Sequence, residues 1–503
     1  MTSIDGTPRG PESDPAAGPV EPASAAKAAK PARMAKVLPL SGFPELLPGE
    51  RIIEQRFLDV IRETFELHGF SSLETRAVEP VERLLGKGGD ADKEIYGVTR
   101  LAARSDERAG SESELGLHFD LTVPFARYVL EHAGRLDFPF RRYQVQKVWR
   151  GERPQEGRYR EFWQADIDVV DVGQLAGHFE AEMPLVIADV FARFPVGEFV
   201  IQVNNRMIPE GVYRAIGLDG SVGVIETLRI VDKLDRIGAD AVRTLLLEAG
   251  ATPEQASTAL ALAGIRTPDL GFVERVRALG VSHATLDAGL DALSEVVRQG
   301  MVHAPGRIVA DLRVARGLDY YTGTVYETQL VGFEDWGSFC SGGRYDALAS
   351  DGRTSYPGVG ISIGVSRLLG LLLGKGLLTV SRKTPAAVLV ALNTDDDRPR
   401  SAAVASDLRR RGIPCEVAPG AARFGKQIRY AERRGIPYVW FPGAASETGG
   451  DAVKDIRSGA QVGADATTWQ CPVDDLRPTV TRAPSAVPVA ADPPSAAPAS
   501  PGA

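Results

Sequence analysis

Arginine is unusually dense in one short part of the chain. Val148–Asp168 reads V-W-R-G-E-R-P-Q-E-G-R-Y-R-E-F-W-Q-A-D-I-D, two strand-like runs around a polar loop with Arg150, Arg153, Arg158 and Arg160. Guanidinium groups gathered in a hairpin suit planar, bidentate recognition of phosphate or carboxylate. The same density also fits a solvated hairpin, whose surface ion pairs contribute little. Glu152 can accept from an adenine amino group or hold one of these arginines.

Four further stretches have chemically useful spacing. In Leu117–Arg127, Asp120 and Thr122 lie two residues apart. On a strand they share one face and can hold an ammonium group, whereas at a helix start either one serves as an N-cap. Arg316–Glu327, R-G-L-D-Y-Y-T-G-T-V-Y-E, combines Arg316, Asp319, Tyr320 and Tyr321. It offers charges, aromatic walls and phenol hydroxyls, or else a strand whose tyrosines pack in a core. Ser338–Asp346 contains Gly342-Gly343, read as a turn where backbone approaches a ligand closely. Gly358–Arg367 runs from strand to helix and ends at Arg367. Neither a Gly-x-x-x-x-Gly-Lys-Ser/Thr loop nor a Gly-x-Gly-x-x-Gly turn after the first strand occurs, so the usual nucleotide folds do not apply.

The elements that must position these residues follow from periodicity. Glu50–His68 reads as an amphipathic helix through Ile53, Phe57, Val60, Ile61, Phe65 and Leu67. Strands are expected at 141–149, 161–170 and 197–204, helices at Gly223–Ile237 and Leu286–Arg298, and β-rich chain again from Arg307 to Gln329. Val359–Leu373 reads as a strand passing into a helix. After Ser381-Arg382-Lys383-Thr384-Pro385 the pattern alternates: strands at 387–392, 415–417 and 438–441, helices at 402–411 and 424–434. That alternation implies a small parallel-type sheet flanked by helices. The chain therefore reads as an α+β body with a helical insert at about 205–303, followed by a separate α/β domain.

Composition bounds the rest. At 503 residues the chain exceeds one compact core, so two or three domains are expected. A net charge of -8 argues against indiscriminate coating of nucleic acid, though local basic strips can still carry phosphate contacts. Cys340, Cys415 and Cys471 lack metal-ligand spacing and read as reduced thiols. Residues 1–35 and 481–503, dominated by Ala, Pro, Gly and Ser, are expected to be disordered. No run approaches the ~20 apolar residues of a membrane span. Asp5, Glu12 and Asp14 do not fit a secretory or transit leader, so a cytoplasmic location without membrane attachment is expected.

Taken in order from about Leu38 to Val480, these segments resemble histidyl-tRNA synthetase, a class II aminoacyl-tRNA synthetase. Val148–Asp168 is similar to the family's motif 2 hairpin and Gly358–Arg367 to motif 3, while Arg316–Glu327 and Ser338–Asp346 resemble two segments special to the histidine enzyme. Phe119–Pro124 and Gln164–Asp168 are similar to the branch typical of eukaryotes and archaea.

The resemblance implies an α+β catalytic domain at 36–380, built on an antiparallel sheet, and an anticodon-binding α/β domain at 386–480 that includes Val453–Gly459. It implies ATP, with Mg2+ accompanying it, as well as histidine, histidine tRNA and a homodimer. Arg150 would contact the α-phosphate and the histidine carboxylate, and Arg316 would stabilise charge there as the carboxylate attacks. Arg367 would reach the γ-phosphate, with Glu152 and Arg158 also on ATP. Asp120, Thr122 and Gln164 would hold the α-amino group, Tyr320 would help wall the histidine site, and Asp168 and Tyr321 would read the two imidazole nitrogens.

Three positions depart from the family pattern: Arg76 where motif 1 usually has proline, Gly151 for a bulkier residue, and Ser366 for Glu or Thr. The competing reading is a catalytically idle relative, the regulatory subunit of ATP phosphoribosyltransferase. That protein shares the body but lacks the anticodon domain and loses histidine-site residues.

Overall fold

The computed structural model describes residues 38–85, 94–100, 114–315, 320–444 and 450–484. The extension expected at 1–35 and most of that expected at 481–503 lie outside these residues, as does Arg316.

Helix α1 (Pro48–Leu67) starts on a proline whose missing N–H costs nothing in a first turn, and Glu50 accepts from the Leu47 N–H at 2.9 Å. Its Ile53, Phe57, Ile61 and Phe65 are buried against the central sheet. Among the described residues this sheet has nine strands. In chain order they are β1 (Ser71–Ser72), β2 (Phe140–Trp149), β3 (Glu161–Val170), β4 (Phe199–Asn205), β5 (Arg266–Thr267), β6 (Ile308–Asp311), β7 (Thr324–Leu330), β8 (Cys340–Tyr345) and β9 (Gly358–Gly364). Across the sheet the order is β1-β2-β3-β9-β8-β7-β4-β6-β5. The run from β2 to β4 is antiparallel throughout, and β1 and β6 join in parallel.

Between β2 and its upstream chain lies α2 (Thr122–His132), and α3 (His178–Ala192) follows β3. The strand reading of Asp120 and Thr122 gives way here. The Asp120 carboxylate accepts from the Val123 N–H at 3.0 Å, satisfying a donor that the first turn leaves open. The insert at 207–303 is helical except for β5, and ends in α4 (Ala284–His303). The helix expected over Gly223–Ile237 is broken after Val231, and the next helix kinks at Gly238, where φ is +80°. β9 passes directly into α5 (Val365–Gly374), as the spacing predicts.

The C-terminal domain contains α6 (Arg398–Arg410) and α7 (Phe424–Arg434). Its sheet is mixed rather than wholly parallel. β11 (Val388–Val390) is flanked in parallel by β12 (Cys415–Val417) and β13 (Tyr438–Phe441), after which β14 (Asp451–Asp455) and β15 (Gln461–Ala464) add antiparallel. The chain enters this domain after β10 (Leu378–Val380) and leaves it through β16 (Val480–Arg482), and these two strands pair antiparallel. Thr481 and Arg482 are thus ordered, correcting the expected start of the tail at 481. Backbone hydrogen bonds hold them in place, among them Ala483 N–H to the Leu377 carbonyl at 2.8 Å. No helix among the described residues is long and apolar enough to cross a membrane.

Candidate active site

Side chains alternate across strands, so polar residues two apart on paired strands form rows over one face. On β2 the sequence places Arg142, Gln144 and Gln146; on β3 it places Asp168, Asp166 and Gln164 directly opposite. β9 continues these three rows with Gly360, Ser362 and Gly364. β8 extends two of them, with Gly343 beside Gly360 and Ser341 beside Ser362, and β7 puts Glu327 beside Ser341. One row therefore reads Gln144–Asp166–Ser362–Ser341–Glu327 across five strands.

The glycines are needed by their neighbours. A Cβ on Gly360 would collide with the Asp168 carboxylate, and one on Gly342 with the Gly360 carbonyl. One on Gly343 would lie 2.9 Å from the Tyr321 ring. Gly342-Gly343 lies within β8 and is not a turn, so what it supplies is close approach rather than an unusual φ.

Over this face opens a cavity of about 580 Å³. Asp120, Thr122, Gln164, Tyr320 and Tyr321 line one part of it, while Arg150, Glu152, Arg158 and Arg367 line the other. Ten residues were named from sequence for this site besides Arg316. Nine of them reach the cavity, and Asp168 lies in the floor beneath it, 3% exposed.

At the buried end, Asp168 accepts from the Tyr345 hydroxyl at 2.8 Å and pairs with the Arg142 guanidinium at 2.6 Å. Arg142 is wholly buried, 4.1 Å above the Phe125 ring. Burial pushes the Asp168 carboxyl up to about 7, against the lowering pull of Arg142. Burial likewise raises Asp166, which accepts from Ser362 Oγ at 2.5 Å and Gln164 Nε2 at 3.2 Å. Tyr320 donates to the Tyr321 hydroxyl at 3.0 Å, and burial pushes both phenols up, so they stay neutral donors.

At the open end the contacts are made by arginines. Arg150 donates to the Phe119 carbonyl at 3.0 Å and to Gln164 at 3.3 Å, and stands 5.1 Å over the Phe162 ring. Glu152 sits between Arg150 (3.9 Å) and Arg158 (3.6 Å), so it holds arginines rather than standing free. Arg367 donates to the carbonyl of Trp336, whose indole packs on Gly157 at the tip of the β2–β3 loop. Two departures find a local cause here. Ser366 accepts from the Trp163 N–H at 2.9 Å and so braces β3, and Gly151 lets its N–H reach the Glu94 carbonyl at 2.7 Å.

The arrangement pairs a buried polar pocket with an arginine-lined mouth, a design for an amino acid beside a nucleotide. A family profile described as histidyl-tRNA synthetase matches residues 42–368, and one described as anticodon binding domain matches 386–475. The chain belongs to the histidyl-tRNA synthetase family. It is 57% identical to a histidine–tRNA ligase of Micrococcus luteus, over 90% of this chain and all of that one. It is 56% identical to that of Cutibacterium acnes, over 89% and 99%. The crystal structure of a histidyl-tRNA synthetase from Nostoc sp. PCC 7120 superposes with a TM-score of 0.77 at 35% identity, covering 86% of this chain and 98% of that chain.

A protein described as an ATP phosphoribosyltransferase regulatory subunit/histidyl-tRNA synthetase from Bacillus halodurans C shares the fold, with a TM-score of 0.65 at 17% identity over 79% of this chain. The fold is therefore the class II synthetase fold with a separate anticodon domain. Although two short motifs resemble the eukaryotic and archaeal branch, the relatives in Micrococcus and Cutibacterium are bacterial.

For this synthetase, sequence reasoning missed Arg142, Tyr345, Asp166, Ser362 and Trp336. Arg142 and Asp166 carried a readable signal. Arg142-x-Gln144-x-Gln146 and Gln164-x-Asp166-x-Asp168 put a polar residue at every second position of two strand-like runs, and such stripes face a ligand or each other.

Proposed function

We infer that the protein activates histidine with ATP to histidyl-adenylate and pyrophosphate, then transfers histidine to the 3′ end of histidine tRNA. One observation carries this reading: nine residues from four separate stretches, named for amino-acid and ATP contact, line a single cavity. In-line attack of a carboxylate on the α-phosphate needs positioning and positive charge more than an acid or base. Arg150 lines this cavity and donates to Gln164 at 3.3 Å, which supports a role at both the carboxylate and the α-phosphate. Arg316 supplies charge at the same phosphate, and Arg158 and Arg367 hold the remaining phosphates. Asp120, Thr122 and Gln164 take the α-ammonium. Tyr321 and Asp168 bracket the imidazole, one donating and one accepting, so substrates lacking either nitrogen leave a buried group unpaired.

Among the described residues no group of three or more His, Cys, Asp or Glu is arranged to hold a metal ion. Mg2+ belongs with ATP, entering as part of the substrate. On α7, Lys426, Arg429 and Arg433 recur every three or four residues and are exposed, with Arg423 just before them. This basic stripe is our candidate for contact with the tRNA backbone. The working form is a cytoplasmic homodimer.

Histidine-dependent ATP–pyrophosphate exchange and charging of total tRNA test the reading. Both activities are expected; histidine binding with neither would favour an idle regulatory relative. Arg316→Ala is expected to abolish exchange while the thermal unfolding midpoint stays put.

A further inference from the structure

Both segments that resemble the histidine-specific signature meet one carboxylate that belongs to neither. Glu180 stands in the first turn of α3 and is 5% exposed. Its Oε2 accepts from the Thr324 backbone N–H at 3.0 Å and from the Thr324 hydroxyl at 2.5 Å. Its Oε1 accepts from the Arg344 guanidinium at 2.8 Å. The Glu180 backbone carbonyl accepts in turn from the Tyr326 hydroxyl at 2.7 Å.

These partners flank the two tyrosines of the pocket. Thr324 opens β7 three residues after Tyr321, and Arg344 follows Gly343, the glycine that makes room for the Tyr321 ring. The intervening chain is held as well. The Thr322 N–H donates to the Arg344 carbonyl at 2.8 Å, and Asn205 Nδ2 donates to Thr324 Oγ1 at 3.2 Å. A Cβ on Gly323 would lie 2.8 Å from Arg344 Cδ and 3.1 Å from Glu180 Oε2, so this chain is pressed onto the pair. A buried carboxylate with three donors is satisfied only when all of them converge, and charged acceptors make such bonds short and directional. The first turn of a helix adds a favourable field for the negative charge.

We propose that Glu180 is a positioning residue for histidine recognition: by joining Thr324 to Arg344 it fixes the Tyr320-Tyr321 hydroxyls over the amino-acid end of the cavity. The proposal rests on the assignment of Tyr321 to the imidazole. Steady-state exchange, with histidine and ATP varied separately, tests it in the full-length protein beside thermal unfolding. Glu180→Gln is expected to raise KM for histidine about tenfold or more and to leave KM for ATP within about twofold, with Glu180→Asp restoring part of the loss.

A folded Glu180→Gln enzyme with both KM values raised equally, or neither raised, overturns the proposal. If Glu180→Gln does not fold, Thr324→Val removes the hydroxyl that donates to Glu180 and accepts from Asn205, and about a threefold rise in KM for histidine alone is expected; an unchanged value overturns it. Tyr321→Phe separates the two readings. If it leaves KM for histidine unaltered, the pocket assignment falls and the proposal with it. If it impairs histidine use while the Glu180 and Thr324 variants behave normally, the proposal alone falls.

Discussion

The two ends of the cavity are built differently. At the amino-acid end, Gln164, Asp166 and Asp168 are nearly inaccessible, each held by neighbours from adjacent strands. At the nucleotide end, Arg150 and Arg158 keep a third to a half of their side chains exposed, and their carboxylate neighbour Glu152 stands 3.6–3.9 Å away. Binding a triphosphate needs positive charge in roughly the right place, and long arginines on a loop provide it. Choosing one amino acid needs donors and acceptors whose positions cannot relax toward a wrong substrate, which requires burial and fixed partners.

That contrast can be broken or sharpened by substitution, beginning with Arg142. Arg142→Leu leaves the Asp168 carboxyl buried without its cation, and kcat/KM for histidine is expected to fall about 100-fold at neutral pH. The sign of the pH effect follows from the cause. Burial places the Asp168 carboxyl at about 7 and Arg142 pulls it down, so removing Arg142 moves it higher. The group is then protonated at neutral pH and cannot accept from imidazole, and activity should recover as pH rises. Asp168→Asn should show no such recovery; equal pH profiles for the two variants would remove Asp168 from histidine recognition.

Tyr321→Phe comes next, with an expected loss of about tenfold in kcat/KM for histidine and little change for ATP, measured by exchange. At the nucleotide end, Arg158→Ala should raise KM for ATP only a few-fold, with histidine untouched. A loss from Arg158→Ala as large as that from Arg142→Leu would erase the distinction between the ends. The smallest effect expected concerns the stripe on α7. Arg429→Ala should leave exchange unchanged, weaken tRNA charging by a few-fold, and flatten its salt dependence.

Much of this architecture is legible in the sequence where local signals are strong. β3 matches its expected bounds at 161–170, α7 its expected span at 424–434, and the glycine-rich run from 358 becomes β9 feeding α5, because period and punctuation agree there. Asp120 was ambiguous for a physical reason: a carboxylate two residues before an apolar run fits a cap or a strand, and only the register of the surrounding chain decides. The antiparallel edge of the C-terminal sheet escaped because β14 and β15 carry few β-branched residues. Glu180 and Tyr345 could not be placed from spacing at all. Their partners lie 144 to 177 residues away in sequence, a separation that pairing across a sheet creates and local pattern does not record.

The pairing of β10 with β16 has a consequence for how the molecule can be divided. The chain departs for the C-terminal domain and comes back at the same place, so topologically that domain is a loop grown out of the catalytic body rather than a tail hung on it. Cutting the chain after residue 385 would strip β10 of its one strand partner among the described residues and leave a row of open amides and carbonyls, an invitation to self-association. Excising 386–478 and rejoining the ends with a short glycine-containing turn would close the same two strands as a hairpin. The excised form should remain dispersed and retain histidine activation, while the simple truncation should precipitate.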